Sequence, residues 1–319
     1  MKTTILPKYI FENNVHVILG HLSDAEEHDE IVFDFQRVTY YIPVAITSII
    51  ATIKRWLLMQ KKVTFINHTS NGAFQYLQRI DFFQILGLNY TEDFNRHAPL
   101  GSFVTIKEIG PDSRRKVNEI AEELVGAIIP QSKYADPYRL LQYALGEIIL
   151  NCVQHSQGTG FIAAQYSEKY DLIRIGITDN GIGIRESFKV SNSPHFLESL
   201  DDRGHLDLAL RPETSSKNHT APLYGEPENA GVGLSIVQAT SSATMGHFIV
   251  ASGSAVYWKD GTHNGIHLPT SANHYFQGTV TAVAFKRKEV YEYAQLLKDA
   301  KISIGLLSKD DQLTPNIFQ

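Results

Sequence analysis

The first ninety residues alternate between short apolar runs and longer stretches in which apolar side chains return at helical intervals. Three runs rich in β-branched or aromatic residues predict strands, namely VHVILG, IVFDF and KVTFINH. Residues 43–62 show helical spacing and end in basic residues, which suit a helix C-terminus. Residues 71–86 repeat that spacing until Gly87. The pattern predicts a parallel βαβα unit of the α/β class.

The pattern changes after residue 90. Residues 91–111 have no clear period and contain Pro and Gly, which indicates a linker that holds one strand in GSFVTIKEI. Two helices are predicted next, over residues 114–125 and from Asp136 to Ser156, followed by the alternating strand DLIRIGITD. A last helix is predicted in VYEYAQLLKDA, and a polar tail follows it.

Composition limits the classes of protein. The 319 residues suffice for about two domains, and 43% hydrophobic residues suffice for packed cores. A net charge of −5 gives no general attraction to nucleic acid. The single cysteine, Cys152, excludes an internal disulfide and is typical of a reducing compartment. With no signal peptide or membrane span predicted, we expect a cytoplasmic protein.

A polar stripe crosses the apolar helix that starts at Asp136. Glu147, Asn151 and His155 are four residues apart, so they lie on one side of the helix. One interpretation is the solvated face of an amphipathic helix. The other is a set of functional side chains, which two motifs further along the chain favour.

The first of these motifs follows the strand DLIRIGITD. Asp179 at the strand end, with Gly181 and Gly183 after it, combines a carboxylate with backbone that can approach a flat ligand closely. The alternative is an ordinary tight turn, for which Asp-Asn-Gly is common.

The second motif is NAGVGLSIVQ, from Asn229 to Gln238. Its glycines lead into a predicted helix N-terminus, where free N–H groups and the positive end of the dipole suit phosphate. The alternative is a helix start that merely tolerates glycine.

In this order and spacing the motifs resemble the GHKL ATPase superfamily, which includes histidine kinases, anti-sigma serine kinases, gyrase, Hsp90 and MutL. The segments Glu147–Asn151, Asp179–Gly183 and Gly231–Val237 match its N, G1 and G2 boxes, and Gly278-Thr279 matches its closing motif. The resemblance covers residues 112–286. It implies a Bergerat-fold two-layer α/β sandwich that binds ATP with Mg²⁺ under an ATP lid.

The resemblance also implies roles at the adenine. Asp179 should accept a hydrogen bond from the adenine amino group, which favours ATP over GTP because guanine has an acceptor there. Gly181 and Gly183 let the backbone reach the base, and Thr279 should bond the ring directly or through water.

At the phosphates, the resemblance makes Asn151 the Mg²⁺ ligand and Glu147 the catalytic residue that orients a water or a protein hydroxyl and takes its proton. Gly231, Gly233 and Leu234 should bind the nucleotide. His155, at the matching place in anti-sigma kinases, should bind the nucleotide at the pocket edge, and the alternative is a structural or surface role.

The long polar stretch between Arg185 and Glu228 fits the lid of this superfamily. Arg211 and Lys217 are its candidate phosphate contacts, with solvated surface charge as the alternative.

Residues 10–90, including IVFDFQRVTYYIPVAITSIIATIKRWLL, resemble a STAS domain, the fold of bacterial anti-sigma-factor antagonists. Where that family carries a phosphorylated serine, this chain has Tyr41, Ile42 and Pro43, with Thr39 and Thr47 nearby. The resemblance implies an interaction domain without chemistry of its own.

The predicted organisation is a STAS-like α/β domain (1–90), a linker (91–111), the ATPase domain (112–286) and a C-terminal helix and tail (287–319). The motif spacing is closest to anti-sigma kinases, so we expect a protein serine/threonine kinase or a slow ATPase that controls a protein partner. The alternative is a nucleotide-gated binding switch that phosphorylates nothing.

A histidine autokinase is disfavoured because the helix over residues 114–125 has no histidine, and a degenerate scaffold is the remaining class. No nucleic-acid or membrane partner is indicated, and a homodimer is compatible with the sequence.

Overall fold

Two larger sheets and one short strand pair organise the part of the chain that the computed structural model describes. That part comprises residues 1–68, 72–88, 90–96, 100–130, 133–214, 231–262, 265–267 and 274–308. The larger sheets have three and seven strands, and the short pair joins β2 (Tyr9–Ile10) to β4 (Tyr40–Tyr41).

The N-terminal sheet is parallel and has the order β1-β3-β5. Its strands are β1 (Lys2–Ile5), β3 (Glu30–Asp34) and β5 (Lys62–Ile66). The helices α1 (Val15–Ala25) and α2 (Pro43–Leu58) connect them. The predicted strands IVFDF and KVTFINH, the helix between them and their parallel pairing are confirmed.

Two predictions in this unit are wrong. The run VHVILG is not a strand but the start of α1, because the apolar spacing continues at Ile18, Leu19 and Leu22, which are all buried. The helix predicted over residues 71–86 is broken into α3 (Gly72–Arg79) and α4 (Phe82–Ile85). Asp81 between them has a positive φ of 65°, which a helix cannot contain.

The seven-stranded sheet is antiparallel throughout, in the order β11-β10-β9-β12-β8-β7-β6. In chain order its strands are β6 (Lys107–Ile109), β7 (Gly160–Ser167), β8 (Leu172–Asp179), β9 (His247–Gly253), β10 (Ala255–Asp260), β11 (Ile266–His267) and β12 (Phe276–Lys286). The strand predicted in GSFVTIKEI is β6 at one edge. The domain boundaries stay predictions.

One face of this sheet is covered by helices. They are α5 (Val117–Ile128), α6 (Asp136–His155) and α9 (Gly233–Ala243). Their apolar sides share a core with alternate residues of β8, namely Ile173, Ile175 and Ile177. The prediction for α6 is confirmed, whereas residues 114–116 form a 3-10 turn before α5. Two short helices, α7 (Ile184–Val190) and α8 (Asp202–Ala209), follow β8, and α10 (Tyr293–Ser303) packs on α9.

The opposite face of the sheet is covered by α2, so this helix lies between the two larger sheets. A Cβ at Gly176 of β8 would clash with the backbone of Val44, which shows how closely the helix approaches. The hydroxyl oxygens of Thr47 and Thr178 are 2.9 Å apart. Near one end of α2, Arg174 Nε donates to Glu12 Oε1 at 2.5 Å in a buried ion pair.

Within the described residues, no helix combines the length and apolar character that a membrane span needs.

Candidate active site

The polar stripe of α6 lies beside the start of α9. Glu147, Asn151 and His155 are each half-buried, while Leu141, Ile148 and other apolar residues of the helix are fully buried. The stripe is therefore neither part of the apolar core nor a freely exposed face. Partly buried polar side chains of this kind remain accessible to a ligand.

Glu147 contacts the first residue of α9. A Cβ at Gly233 would overlap the Glu147 carboxylate, so this side chain lies directly against the glycine backbone. The preceding Gly231 has a positive φ of 80°, which turns the chain into the helix. Burial raises the pKa of Glu147 to about 7. A carboxylate with such a pKa, at a helix N-terminus that favours anions, is suited to accept a proton near neutral pH.

Asp179 lies at the end of β8 and is 4% exposed. Its Oδ1 accepts hydrogen bonds from the backbone N–H groups of Gly181, at 3.0 Å, and Thr279, at 3.2 Å. Burial raises the pKa of Asp179 to about 7, although these hydrogen bonds and one from the Thr279 side chain oppose the rise. The carboxyl group is thus held in one orientation inside the protein.

The loop after Asp179 is fastened at both ends. Ile182 N donates to Ser156 O at 2.8 Å, which ties the loop to the end of α6. Ile184 N donates to Ser252 Oγ at 2.9 Å, and that hydroxyl donates to Gly278 O at 2.9 Å. Gly183, between these points, has a positive φ of 78°. The loop is therefore held by α6, β9 and β12 together.

The two remaining predicted residues lie at opposite sides of this region. Thr279 is on β12, beside Asp179, as its hydrogen bond requires. Leu234 lies on α9, and its half-buried side chain packs against the apolar core.

Sequence reasoning missed three side chains that hold the loop after Asp179 in place. Asn180 Oδ1 accepts a hydrogen bond from Thr159 N at 2.9 Å, and Gln277 Nε2 donates to Gly181 O at 2.5 Å. Both are neighbours of recognised motif residues, so the motifs could have indicated them. Ser252, on β9, carries no comparable signal.

The described part of the predicted lid contains α8 and most of α7. Asp202 of α8 accepts hydrogen bonds from the backbone N and the hydroxyl of Ser254, at 2.8 and 3.0 Å, which anchors this part to the turn after β9. Arg211 is exposed just after α8. Lys217, the other candidate phosphate contact, lies outside the described residues.

The donor set fits a purine nucleotide with Mg²⁺. A buried carboxyl fixed by two backbone N–H groups suits the amino edge of a base. The N-terminus of α9 supplies N–H groups to phosphate, and the Asn151 amide oxygen is a neutral ligand for Mg²⁺. Among the described residues, no group of three or more His, Cys, Asp or Glu could hold a metal alone, so phosphates and water would complete its shell.

A comparison with models of known protein families finds one match in this region. Residues 136–272 match the family described as histidine kinase-, DNA gyrase B-, and HSP90-like ATPase. The match begins with α6 and ends before β12. No curated protein matches the chain. The chain therefore carries an ATPase domain of this kind, which implies nucleotide binding.

Proposed function

We propose that this protein is an ATP-binding regulatory protein that binds Mg-ATP between α6, β8, α9 and β12 and transfers the γ-phosphoryl group. The acceptor is water or a serine or threonine hydroxyl of a protein partner. The observation that carries the proposal is the contact of the Glu147 carboxylate with the first residue of α9, on a helix whose end is hydrogen-bonded to the loop after the buried Asp179.

The adenine end is assigned to Asp179. Its Oδ1 is held by Gly181 N and Thr279 N, so the carboxyl group keeps its orientation before any ligand arrives. The amino group of adenine can donate to such a carboxylate, whereas guanine would present an acceptor oxygen to it. A buried acceptor facing another acceptor costs about 1–3 kcal/mol, which supports selection of ATP over GTP.

The phosphate end is assigned to the N-terminus of α9 and to the stripe of α6. When bound, Mg²⁺ would neutralise phosphate charge, with Asn151 as its protein ligand. Glu147 orients the attacking oxygen and accepts its proton, and the raised pKa of about 7 makes it a more effective base than an ordinary glutamate.

The kinase alternative is supported by the motif spacing and by the STAS-like sequence of the N-terminal unit. Its substrate would be a separate protein. Thr47, near the place where STAS domains carry their serine, is 0% exposed and bonded to Thr178. A kinase cannot reach this hydroxyl in the docked arrangement.

Glu147→Gln tests the proposal. We expect Mg-ATP affinity to stay within about 3-fold of wild type, since the amide keeps the shape of the side chain, while turnover of labelled ATP falls by about 100-fold or more. Calorimetry measures the affinity, and release or protein transfer of labelled phosphate measures the turnover.

The matched control is Glu119→Gln at an exposed position of α5, which should behave as wild type. No heat and no thermal shift with Mg-ATP for the wild-type protein would refute the proposed function. Full ATP binding without any turnover would instead favour the nucleotide-gated switch.

A further inference from the structure

The polar stripe of α6 extends further towards the helix N-terminus than the three motif residues. Tyr143 precedes Glu147 by one helical turn, and Arg139 precedes Tyr143 by another. The Arg139 guanidinium lies over the ring of Tyr293 in α10, 4.4 Å from its centroid. The C-terminal helix therefore covers the part of the stripe next to Glu147.

The ring of Tyr143 is packed at the start of α9. It contacts the apolar cluster of Val232, Ile236 and Ala300, which joins α9 to α10. Val232 directly precedes Gly233, the residue against which Glu147 lies. Tyr143 and Glu147, on one face of α6, thus contact two consecutive residues, Val232 and Gly233.

The hydroxyl of Tyr143 is buried and has no hydrogen-bond partner within the described residues. A buried hydroxyl without a partner costs about 1–3 kcal/mol, and a catalytic role or a bound water is among the reasons why native proteins keep one. Burial raises the pKa of Tyr143, with the nearby Glu147 and Tyr293 as further causes. The group is therefore a neutral hydroxyl that can both donate and accept.

We propose that Tyr143 is a further catalytic residue, whose hydroxyl oxygen accepts a hydrogen bond from the attacking water while Glu147 accepts the other hydrogen. This inference rests on the proposed function and identifies the nucleophile as water when no partner hydroxyl occupies the site. Glu147 takes one proton of the water as its oxygen bonds to the γ-phosphorus. The bond from that phosphorus to the β,γ-bridging oxygen breaks, and ADP and inorganic phosphate are released.

Tyr143→Phe tests this role in the full-length protein because it removes the hydroxyl and keeps the packed ring. We expect kcat for ATP hydrolysis to fall by about 10-fold or more, with the calorimetric Kd for Mg-ATP within about 3-fold of wild type. The thermal midpoint without nucleotide should stay equal or rise, because an unpartnered buried hydroxyl is lost.

The matched control is Tyr138→Phe on the same helix. The Tyr138 hydroxyl donates to Glu122 O at 3.4 Å, away from the stripe, so its loss should lower the thermal midpoint slightly and leave kcat unchanged. The double variant with Glu147→Gln should be no slower than Glu147→Gln alone, because both side chains act on one water.

Wild-type kcat in Tyr143→Phe, or fully additive losses in the double variant, would overturn the role of Tyr143 and leave the proposed function intact. A lower thermal midpoint together with weaker ATP binding would mean that the hydroxyl is structural, which also overturns it. Failure of the wild-type protein to bind Mg-ATP would overturn both proposals.

Discussion

The two faces of the seven-stranded sheet are built from alternate residues of the same strand, and they differ in chemistry. Towards α6, β8 presents Ile173 and Ile175 to an apolar core. Towards α2, it presents Arg174, Gly176 and Thr178, which form an ion pair, a close backbone approach and a hydrogen bond. On β8, the first face is apolar and the second is polar. The neighbouring strands are apolar on the second side as well, because Phe161, Ile249 and Val280 share a core with Ile46 and Ile49 of α2.

The two helices that pack on opposite faces of β8, α6 and α2, therefore make different kinds of contact with it. The apolar face is packed by α6, which lies close to β8 in sequence and carries Glu147. The polar face is packed by α2, which is distant in sequence. Thr47 of this helix is hydrogen-bonded to Thr178, the residue before Asp179. The N-terminal unit thus abuts the strand that holds the proposed adenine-binding residue.

The largest loss of stability is expected when the buried ion pair of the polar face is broken. Glu12→Ala would leave Arg174 buried without its carboxylate, and the free energy of unfolding should fall by about 3–5 kcal/mol. Urea unfolding measures the change.

The control is an ion pair between α2 and β6 of the seven-stranded sheet. Lys54 Nζ and Glu108 Oε2 are 3.5 Å apart, and both side chains are partly exposed. Glu108→Gln should cost less than about 1 kcal/mol. Equal small losses in both variants would mean that the polar face contributes little to stability.

A smaller effect is expected for the pH dependence of stability, through Asp179 at the end of β8. Folding raises the pKa of Asp179 from its ordinary value near 4 to about 7, so the folded state binds a proton that the unfolded state has lost. The resulting stabilisation is present at low pH and is lost as the pH rises through about 7. Between about pH 5 and 7.5, we expect the free energy of unfolding to fall by about 2 kcal/mol from this group.

Asp179→Asn should remove this component, because the amide oxygen can still accept from Gly181 N and Thr279 N but does not titrate. Asp112→Asn, at an exposed position, should keep the wild-type pH dependence. If both variants followed the wild-type profile, the high pKa of Asp179 would be contradicted. Asp179→Asn should also weaken Mg-ATP binding, which calorimetry would detect.

The smallest effect is expected at the hydrogen bond between the N-terminal unit and β8. Thr47→Val removes the closer of the two hydroxyl partners of Thr178 and leaves Ser48 Oγ at 3.4 Å. Because the side-chain shape is kept, stability should fall by about 1 kcal/mol. Because Thr178 precedes Asp179, we also expect a loss of a few fold in Mg-ATP affinity.

Thr52→Val, at another buried position of α2, is the matched control and should leave the affinity unchanged. An unchanged affinity in Thr47→Val as well would show that α2 supports the strand without affecting the nucleotide.

Most helices and strands were predictable where the periodic spacing of apolar residues continued over a long segment. The spacing in α6 placed Glu147, Asn151 and His155 on one stripe, and the alternation in β8 placed its isoleucines on one face. The error at residues 15–20 arose because a short apolar run fits a strand as well as a helix. In α1 the decisive residue is Leu22, beyond that run, which completes a helical face.

The sequence by itself determined the local elements and the motif chemistry, since both depend on residues that are close together along the chain. Only the tertiary structure decided that α2 covers the second face of the sheet, that Thr47 is buried there and that Tyr143 meets the start of α9. These contacts join segments far apart in sequence, and neither partner's local pattern specifies the other. Long-range packing therefore added Tyr143 to the stripe of α6, on which the motifs had indicated Glu147, Asn151 and His155.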